Sequence, residues 1–368
     1  MKSAKVVIGA NFGDEGKGCI TNYLSTKETT VVRFNGGAQA GHTVCMPDGR
    51  RHVFGHIGSG SFKGAATHLS RFFIINPLLF IKEYNKLGLD IKITANPKSY
   101  VTTHYDMLIN QIVENYRTNK HGSCGVGINE TIQRCDNLFN IAPTILHNED
   151  HILARLEHIR NNYFDKRLDI LGVPTKFRKI ATSLDELDKA FVKASKFFRD
   201  KVELQHDEEI MFTRNIVFEG AQGLLLDQDS KYFPHVTHSK TGLDNVLELI
   251  KGSSIDHLDV YYVTRSYLTR HGNGPLPHEI PAETFDIQDE TNITNKYQGS
   301  LRFAPLDTKE LINNIFTDFI KIPRQTISTR STSINVAITC LDQVEIDINN
   351  FNSFDSKLLS YSKYGPTL

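Results

Sequence analysis

A glycine-rich loop that carries both a lysine and two acids opens the chain's chemistry. The stretch NFGDEGKGCITNYLS begins at Asn11, just after the apolar run Val6-Val7-Ile8 and the pair Gly9-Ala10. Glycines that bare backbone N–H groups, a lysine and a following helix together make a phosphate site. The usual G-x-x-x-x-G-K-[ST] pattern is broken, because Gly18 follows Lys17 where Ser or Thr would stand. Asp14 and Glu15 sit inside the loop, where they would repel phosphate. Three readings are open. An acid there can share Mg²⁺ with a polyphosphate, act as a general base, or simply cap the helix. His42, between Gly41 and Thr43, follows a strand-like run and is placed to stabilise a phosphoryl group in transfer.

Four more polar, glycine-rich stretches follow strand-like runs. They are NGGAQAGHT from Asn35, GSCGVGIN from Gly122, EGAQGLLLD from Glu219 and TRHGNGP from Thr269. In an open α/β sheet, loops at the carboxyl ends of the strands converge on one crevice. Five such loops, interleaved with His, Gln, Arg and acids, point to a nucleotide site.

The elements that must position these loops are legible as short β-branched runs. Strands are expected at Lys5–Ile8, Thr30–Phe34, Asn215–Phe218, Leu258–Thr264 and Asn335–Thr339, with a helix running to Leu24. Buried runs of four to seven residues bounded by glycine predict an α/β fold with a mostly parallel central sheet flanked by helices, a P-loop-like nucleotide-binding core. Residues 146–206 read differently, with helical spacing and exchanged charges, as a solvated helical insertion. No repeat or linker interrupts the chain, so residues 1–368 are expected to form one domain.

The chain has 368 residues, with 42 basic and 42 acidic side chains and 39% apolar residues. A neutral balance argues against a nucleic-acid or membrane-surface partner, since both need a cationic field. No apolar run reaches the length of a membrane span. The five cysteines form no C-x-x-C pair, so zinc and disulfide readings are weak and a reducing cytoplasm is expected. His52, His56 and His271 read as structural or solvent-facing, and Arg265 and Arg270 as substrate-facing or surface-paired.

GDEGKG, GGAQAGHT, EGAQGLLLD with PHVTHS, and TRHGNGPLPHE stand in the order seen in adenylosuccinate synthetases, and the resemblance runs through most of residues 4–342. It implies a ligase that joins L-aspartate to a 6-oxopurine nucleotide through a 6-phosphoryl intermediate, with Mg²⁺. Asp14 resembles the base and a metal ligand, His42 the acid, and the Gly41 carbonyl a second metal contact. Gly13, Glu15, Gly16, Lys17, Gly18, Gly41, His42 and Thr43 resemble the triphosphate cradle. Asn35, Gln39, Ser123, Cys124, Gln222 and Thr237 match positions that hold the substrate nucleotide. Arg134 is similar to an arginine that reaches the nucleotide phosphate of a neighbouring subunit, which implies a homodimer.

Departures from the family pattern separate two branches. The aspartate loop is arginine-dense in ordinary members; here NKYQGSLRFAPLD holds only Arg302, which with Gly299 and Ser300 is expected to bind aspartate. A thinned arginine loop fits a sugar without a 2′-hydroxyl. In ITCLDQ, Asp342 is kept for the donor base, but Cys340 replaces a lysine typical of GTP users. These features and the short chain resemble the phage-type 2-aminoadenylosuccinate branch, which uses dGMP with ATP or dATP in the host cytoplasm. The alternative is an ordinary member acting on IMP with GTP. A kinase, a GTPase or a non-catalytic nucleotide sensor would not require L-aspartate.

Overall fold

The computed structural model describes residues 2–118, 122–284, 287, 299–322, 331–347, 351, 358–362 and 365–367. Its first strand, β1 (Ser3–Gly9), is buried on both faces, as the run of β-branched residues requires. Side chains alternate along it. Ala4, Val6 and Ile8 enter one apolar cluster with Val246, Leu249, Leu311 and Ile315 from the helices Asp244–Ile250 and Thr308–Phe319. Val7 points the other way and meets Ile20 of α1 (Lys17–Leu24) together with Val217, Val263 and Ala337. Each such Val or Ile contributes about 1.5–3 kcal/mol when fully buried, so both faces of the strand hold the sheet in place.

The remaining strands are β2 (Thr29–Arg33), β3 (His42–Cys45), β4 (Arg51–Phe54), β5 (Ala66–Leu69), β6 (Ile93–Ala95), β7 (Val202–Leu204), β8 (Asn215–Gly223), β9 (His257–Arg265), β10 (Tyr267–Arg270), β11 (Arg302–Pro305), β12 (Ser331–Thr339), β13 (Leu358–Ser362) and β14 (Gly365–Thr367). Among the described residues, ten of them form one sheet in the order β14-β13-β12-β9-β1-β8-β2-β5-β6-β7. Its pairings are parallel apart from the terminal β13–β14 pair. The expected α/β sheet is therefore present. β3–β4 and β10–β11 are separate antiparallel pairs beside it. Because β1, β2, β8, β9 and β12 run the same way, the loops after Gly9, Arg33, Gly223, Arg265 and Thr339 open on one edge.

The other face of the sheet carries α2 (Pro77–Leu87), α3 (His104–Tyr116) and α4 (Ile128–Asp136), followed by α5 (Glu149–Ile159), a wide turn at Arg160–Phe164, α6 (Asp165–Ile170) and α7 (Leu184–Lys201). The stretch expected to be a solvated insertion is helical, but one side of it is core. Ile152, Leu156, Ile159, Leu168, Phe191 and Phe198 pack with Ile93, Tyr105 and Ile109 in a single cluster. The chain leaves α7 straight into β7, the last strand of the sheet. All five cysteines are free thiols, and no helix among the described residues is long and apolar enough to cross a membrane.

Candidate active site

The two acids of the first loop have opposite fates. Glu15 turns inward. Its Oε1 accepts from the backbone N–H groups of Asn11 (3.1 Å) and Gly13 (2.7 Å), and its Oε2 from Lys17 Nζ (2.6 Å). Both members of this ion pair are almost fully buried. A Cβ on Gly223 would lie 2.2 Å from the Asn11 carbonyl and 2.6 Å from Glu15, so only glycine allows β8 to pass this close. Glu15 is thus corrected from a triphosphate contact to the internal counter-ion that shapes the loop. Asp14, by contrast, has a left-handed backbone (φ 60°) and turns its carboxylate to the cavity.

The missing Walker hydroxyl has a steric cause. A Cβ on Gly18 would stand 2.9 Å from the Cβ of His42 and 3.1 Å from Ser59 Oγ. The first turn of α1 has no room for a side chain because the Cβ and backbone of His42 and the Ser59 hydroxyl occupy that space.

His42 is held by Glu219 of β8, whose Oε1 lies 2.7 Å from its Nδ1. Glu219 also accepts from the Ser59 N–H (3.1 Å) and hydroxyl, and Arg33 Nε lies 3.9 Å away. Burial pushes the Glu219 carboxyl up, but His42, Arg33 and Ser59 outweigh it and hold it down to about 2. Arg33 is a permanent cation, so Glu219 stays ionised whether or not His42 carries a proton. Nδ1 therefore keeps its hydrogen, and Nε2, which meets no protein partner among the described residues, is the working nitrogen. Burial lowers the imidazole below its usual value more than Glu219 raises it, so the ring is neutral at pH 7 until an anion arrives beside it.

Glu219 has a consequence for stability. An unfolded glutamate titrates near about pH 4.3. The folded value is lower, so the unfolded chain takes up the proton first as pH falls. The stabilisation is complete above about pH 4.3 and is lost as pH falls towards 2. Urea midpoints measured between pH 5 and pH 3 are expected to fall more steeply for the wild type than for Glu219→Gln. Parallel slopes would show that Glu219 carries no such contribution.

A cavity of about 840 Å³ lies above these groups. That is towards the top of the ~300–1,000 Å³ usual for small-molecule sites, and it is roomy for a single nucleotide. Of the residues expected at the site, Gly13, Asp14, Gly16, Lys17, Gly18, Gln39, Gly41, His42, Thr43, Ser123, Cys124, Gln222 and Thr237 line it together. Gln39 is informative, because both polar atoms of its amide are buried without a protein partner. Buried amides are normally satisfied, so this one is poised for a ligand. Ser123 Oγ accepts from Asn110 Nδ2 (2.9 Å). The Cys124 thiol is pushed up to about 11 by burial and is no nucleophile.

The other expected residues are not on the cavity wall. Asn35 is buried beside it, accepting from the Ala221 N–H (2.7 Å) and donating to the Ala221 and Lys240 carbonyls, so it ties β2 to β8 instead of holding a ligand. Arg134 is fully buried and committed to Asp106, Val101 and Phe139. It cannot reach a neighbouring subunit, which corrects the role implied by the resemblance. Asp342 is exposed on the turn after β12, and Gly299 and Ser300 are exposed before β11. Arg302 donates through both terminal nitrogens to the carbonyl of Gly274, a wall residue. Residues 295–298 of the expected aspartate loop lie outside the described residues.

The structure adds residues to the site. His271, read from sequence as structural or solvent-facing, lines the cavity with its Nε2 3.4 Å from Asp14 Oδ2. Arg265 also lines it, and its Nε donates to the Asp14 carbonyl (2.5 Å). Arg270 is buried with its guanidinium 4.3 Å from the Phe12 ring centre and 5.2 Å from that of Tyr232, donating to the Pro275 and His235 carbonyls. Burial, and then Arg302, pull it down to about 10. Arg167 and Leu171 reach the wall from the helical stretch that the sequence presents as solvated. Glu219 and His271 both stood inside quoted motifs. A charged residue at the carboxyl end of a buried strand was the signal available for Glu219.

Comparison with known proteins places these motifs. The family model described as adenylosuccinate synthetase matches residues 6–298. The adenylosuccinate synthetase of Picrophilus torridus is 33% identical over 291 residues, covering 77% of this chain and 66% of its own. That of Clostridium botulinum (strain Alaska E43) is 31% identical over 299 residues, covering 77% and 67%. The chain thus spans about two thirds of the length of these curated relatives. Among solved structures, the fully ligated adenylosuccinate synthetase from Plasmodium falciparum superposes with a TM-score of 0.71 at 21% identity, over 92% of this chain and 77% of that one. The succinoaminodeoxyadenylate synthetase of cyanophage S-2L, bound to dGMP and to dATP as an energy donor, gives 0.64 at 15% identity, over 98% and 93%. At these identities the structural likeness shows a shared fold.

Proposed function

The chain belongs to the adenylosuccinate synthetase family of purine-biosynthetic ligases, and from that premise we propose that it joins L-aspartate to C6 of dGMP at the expense of ATP or dATP. The observation that carries the reaction class is the meeting of Asp14, His42 and Lys17 on one cavity wall. A purine O6 is a poor leaving group, and an amine displaces it only after it has become a phosphate ester. Asp14 Oδ1 takes the N1 proton, and the resulting O6 oxyanion attacks the γ-phosphoryl group and releases the nucleoside diphosphate. His42, protonated beside the incoming phosphates, donates from Nε2 to the group on O6. The aspartate amine then adds at C6, and phosphate leaves as C–N forms and C–O breaks.

Lys17 and the N-terminal amides of α1 provide for the triphosphate. Magnesium fits the donors at hand. The Asp14 carboxylate turns to the cavity, and Gly41, with its backbone carbonyl, lies among the residues that line it. One carboxylate plus one carbonyl is the sparse oxygen set with which Mg²⁺ binds phosphates, and among the described residues no denser cluster exists. When bound, the ion would neutralise charge on the triphosphate. Asp342 remains a candidate for the donor base, and Gly299, Ser300 and Arg302 for aspartate. A homodimer would have to complete the site with a residue other than Arg134.

The choice of dGMP is supported by the lone Arg302 in residues 295–307. The second reading, IMP with GTP, is favoured by the names of the curated relatives. Phosphate release with Mg²⁺, ATP and L-aspartate decides between them. Turnover with dGMP is expected to exceed that with IMP by at least about tenfold, the low end of the discrimination between substrates that differ by one small group. A preference for IMP would overturn the substrate, and release independent of aspartate would overturn the reaction class.

A further inference from the structure

The reaction above gives His271 no task, yet it stands 3.4 Å from Asp14 Oδ2 through its Nε2. The segment that bears it holds the tip of the first loop at two further points. Arg265, at the end of β9, donates to the Asp14 carbonyl, and Thr269 Oγ1 in β10 lies 3.5 Å from the Gly13 carbonyl. The backbone of Asp14 is thereby fixed, in a left-handed conformation that a non-glycine residue adopts only when its surroundings impose it. Its carboxylate is left with the rotations about Cα–Cβ and Cβ–Cγ, and the second sets the plane of the two oxygens. His271 faces one of them, Oδ2.

Resting on the reaction proposed above, we propose that His271 is a positioning residue for Asp14. An N–H from its Nε2 to Oδ2 sets the plane of the carboxylate and leaves Oδ1 aimed at the purine N1 proton. A base must lie within hydrogen-bond reach of the proton it removes, and contacts of this kind are long before substrate binds and tighten in the complex. His271 lies on the cavity wall beside Asp14, so the contact is made where the base works and not in the surrounding core.

The test is a double-mutant cycle on the full chain, with L-aspartate, Mg²⁺, ATP and dGMP or IMP. His271→Ala is expected to lower kcat by about 10- to 100-fold, the scale of a misplaced reacting group. KM for each nucleotide and for aspartate should stay within about threefold, since only the transition state is affected. His271→Gln, which can still present an N–H, should recover most of the loss. In an Asp14→Asn background, His271→Ala should change the residual rate by less than about twofold, because its effect passes through Asp14. Equal losses in both backgrounds, or a raised KM for the triphosphate without rescue by Gln, would show that His271 only props up the loop and would overturn the inference. Wild-type protein without aspartate-dependent turnover, or Asp14→Asn with undiminished turnover, would instead overturn the reading of the site, and this inference with it.

Discussion

Asp14→Asn is expected to lower kcat by about 10²- to 10⁴-fold, the usual contribution of a positioned general base. The substitution is chosen to isolate the chemistry. Asparagine shares with aspartate a tolerance for the left-handed backbone found here (φ 60°), so the turn between Gly13 and Gly16 should survive. Alanine would confound the result by straining that turn. The loop's own scaffold is also untouched, because the Asn11 and Gly13 amides and Lys17 are held by Glu15. What asparagine lacks is an oxygen able to take the N1 proton, and a full charge to share with a divalent ion. The loss should therefore appear in kcat, together with a higher Mg²⁺ requirement and an unchanged thermal midpoint. A variant within about fivefold of wild type would remove Asp14 from the reaction, since no general base is worth so little. It would leave the carboxylate as a feature of the helix start.

Adjacent residues that look alike in sequence separate in the structure for reasons the sequence does not carry. Asp14 and Glu15 are neighbouring acids, and the positive φ at Gly13 and Asp14 sends one to the cavity and the other into the loop. The β1–loop–α1 unit itself was legible, because Val6, Val7 and Ile8 followed by glycines leave few alternatives. So was the convergence of five loops, which follows from parallel strands alone. The reason for Gly18 was not legible, since it depends on His42 arriving from β3 at van der Waals distance. Nor was the ion pair between Arg167 and Glu130, which joins two helices 37 positions apart in the chain at 2.7 Å. The buried side of residues 146–206 was legible in principle from Ile152, Leu156 and Ile159, whose spacing is that of one helix face. Alternating charges masked it. A motif continuous in the chain, such as GGAQAGHT, brings Gln39, Gly41, His42 and Thr43 to one cavity wall together. The resemblance misplaced Arg134, where a single arginine had to be matched without its surroundings.

Arg134→Met is expected to destabilise the protein by about 3–5 kcal/mol, the cost of stripping one partner from a buried ion pair. Arg134 Nε and Nη2 lie 2.8 and 2.9 Å from the two Asp106 oxygens, and both side chains are fully buried. Nη2 also donates to the Val101 carbonyl (2.7 Å) and Nη1 to that of Phe139. One guanidinium thus links α4 to α3, to the segment before α3 and to the turn after α4. Without it, Asp106 is left as a buried charge and two carbonyls lose their donors. Asp106 retains the Thr103 N–H (2.7 Å) in the capping box of α3, which lessens the loss without cancelling it. Lysine should not rescue, because a point charge cannot reproduce the two-pronged contact or reach both carbonyls. Pairing Arg134→Met with Asp106→Asn should recover part of the stability, since no unpaired charge remains. Denaturant midpoints at constant m-value measure each step. The competing role implied by family resemblance, contact with the nucleotide of a neighbouring subunit, predicts the opposite pattern. Stability would then change by no more than about 0.5 kcal/mol, as at ordinary surface sites, while KM for the nucleoside monophosphate would rise. A guanidinium with no exposed surface and four protein contacts has nothing left to offer a ligand, so the loss should appear in folding and not in KM.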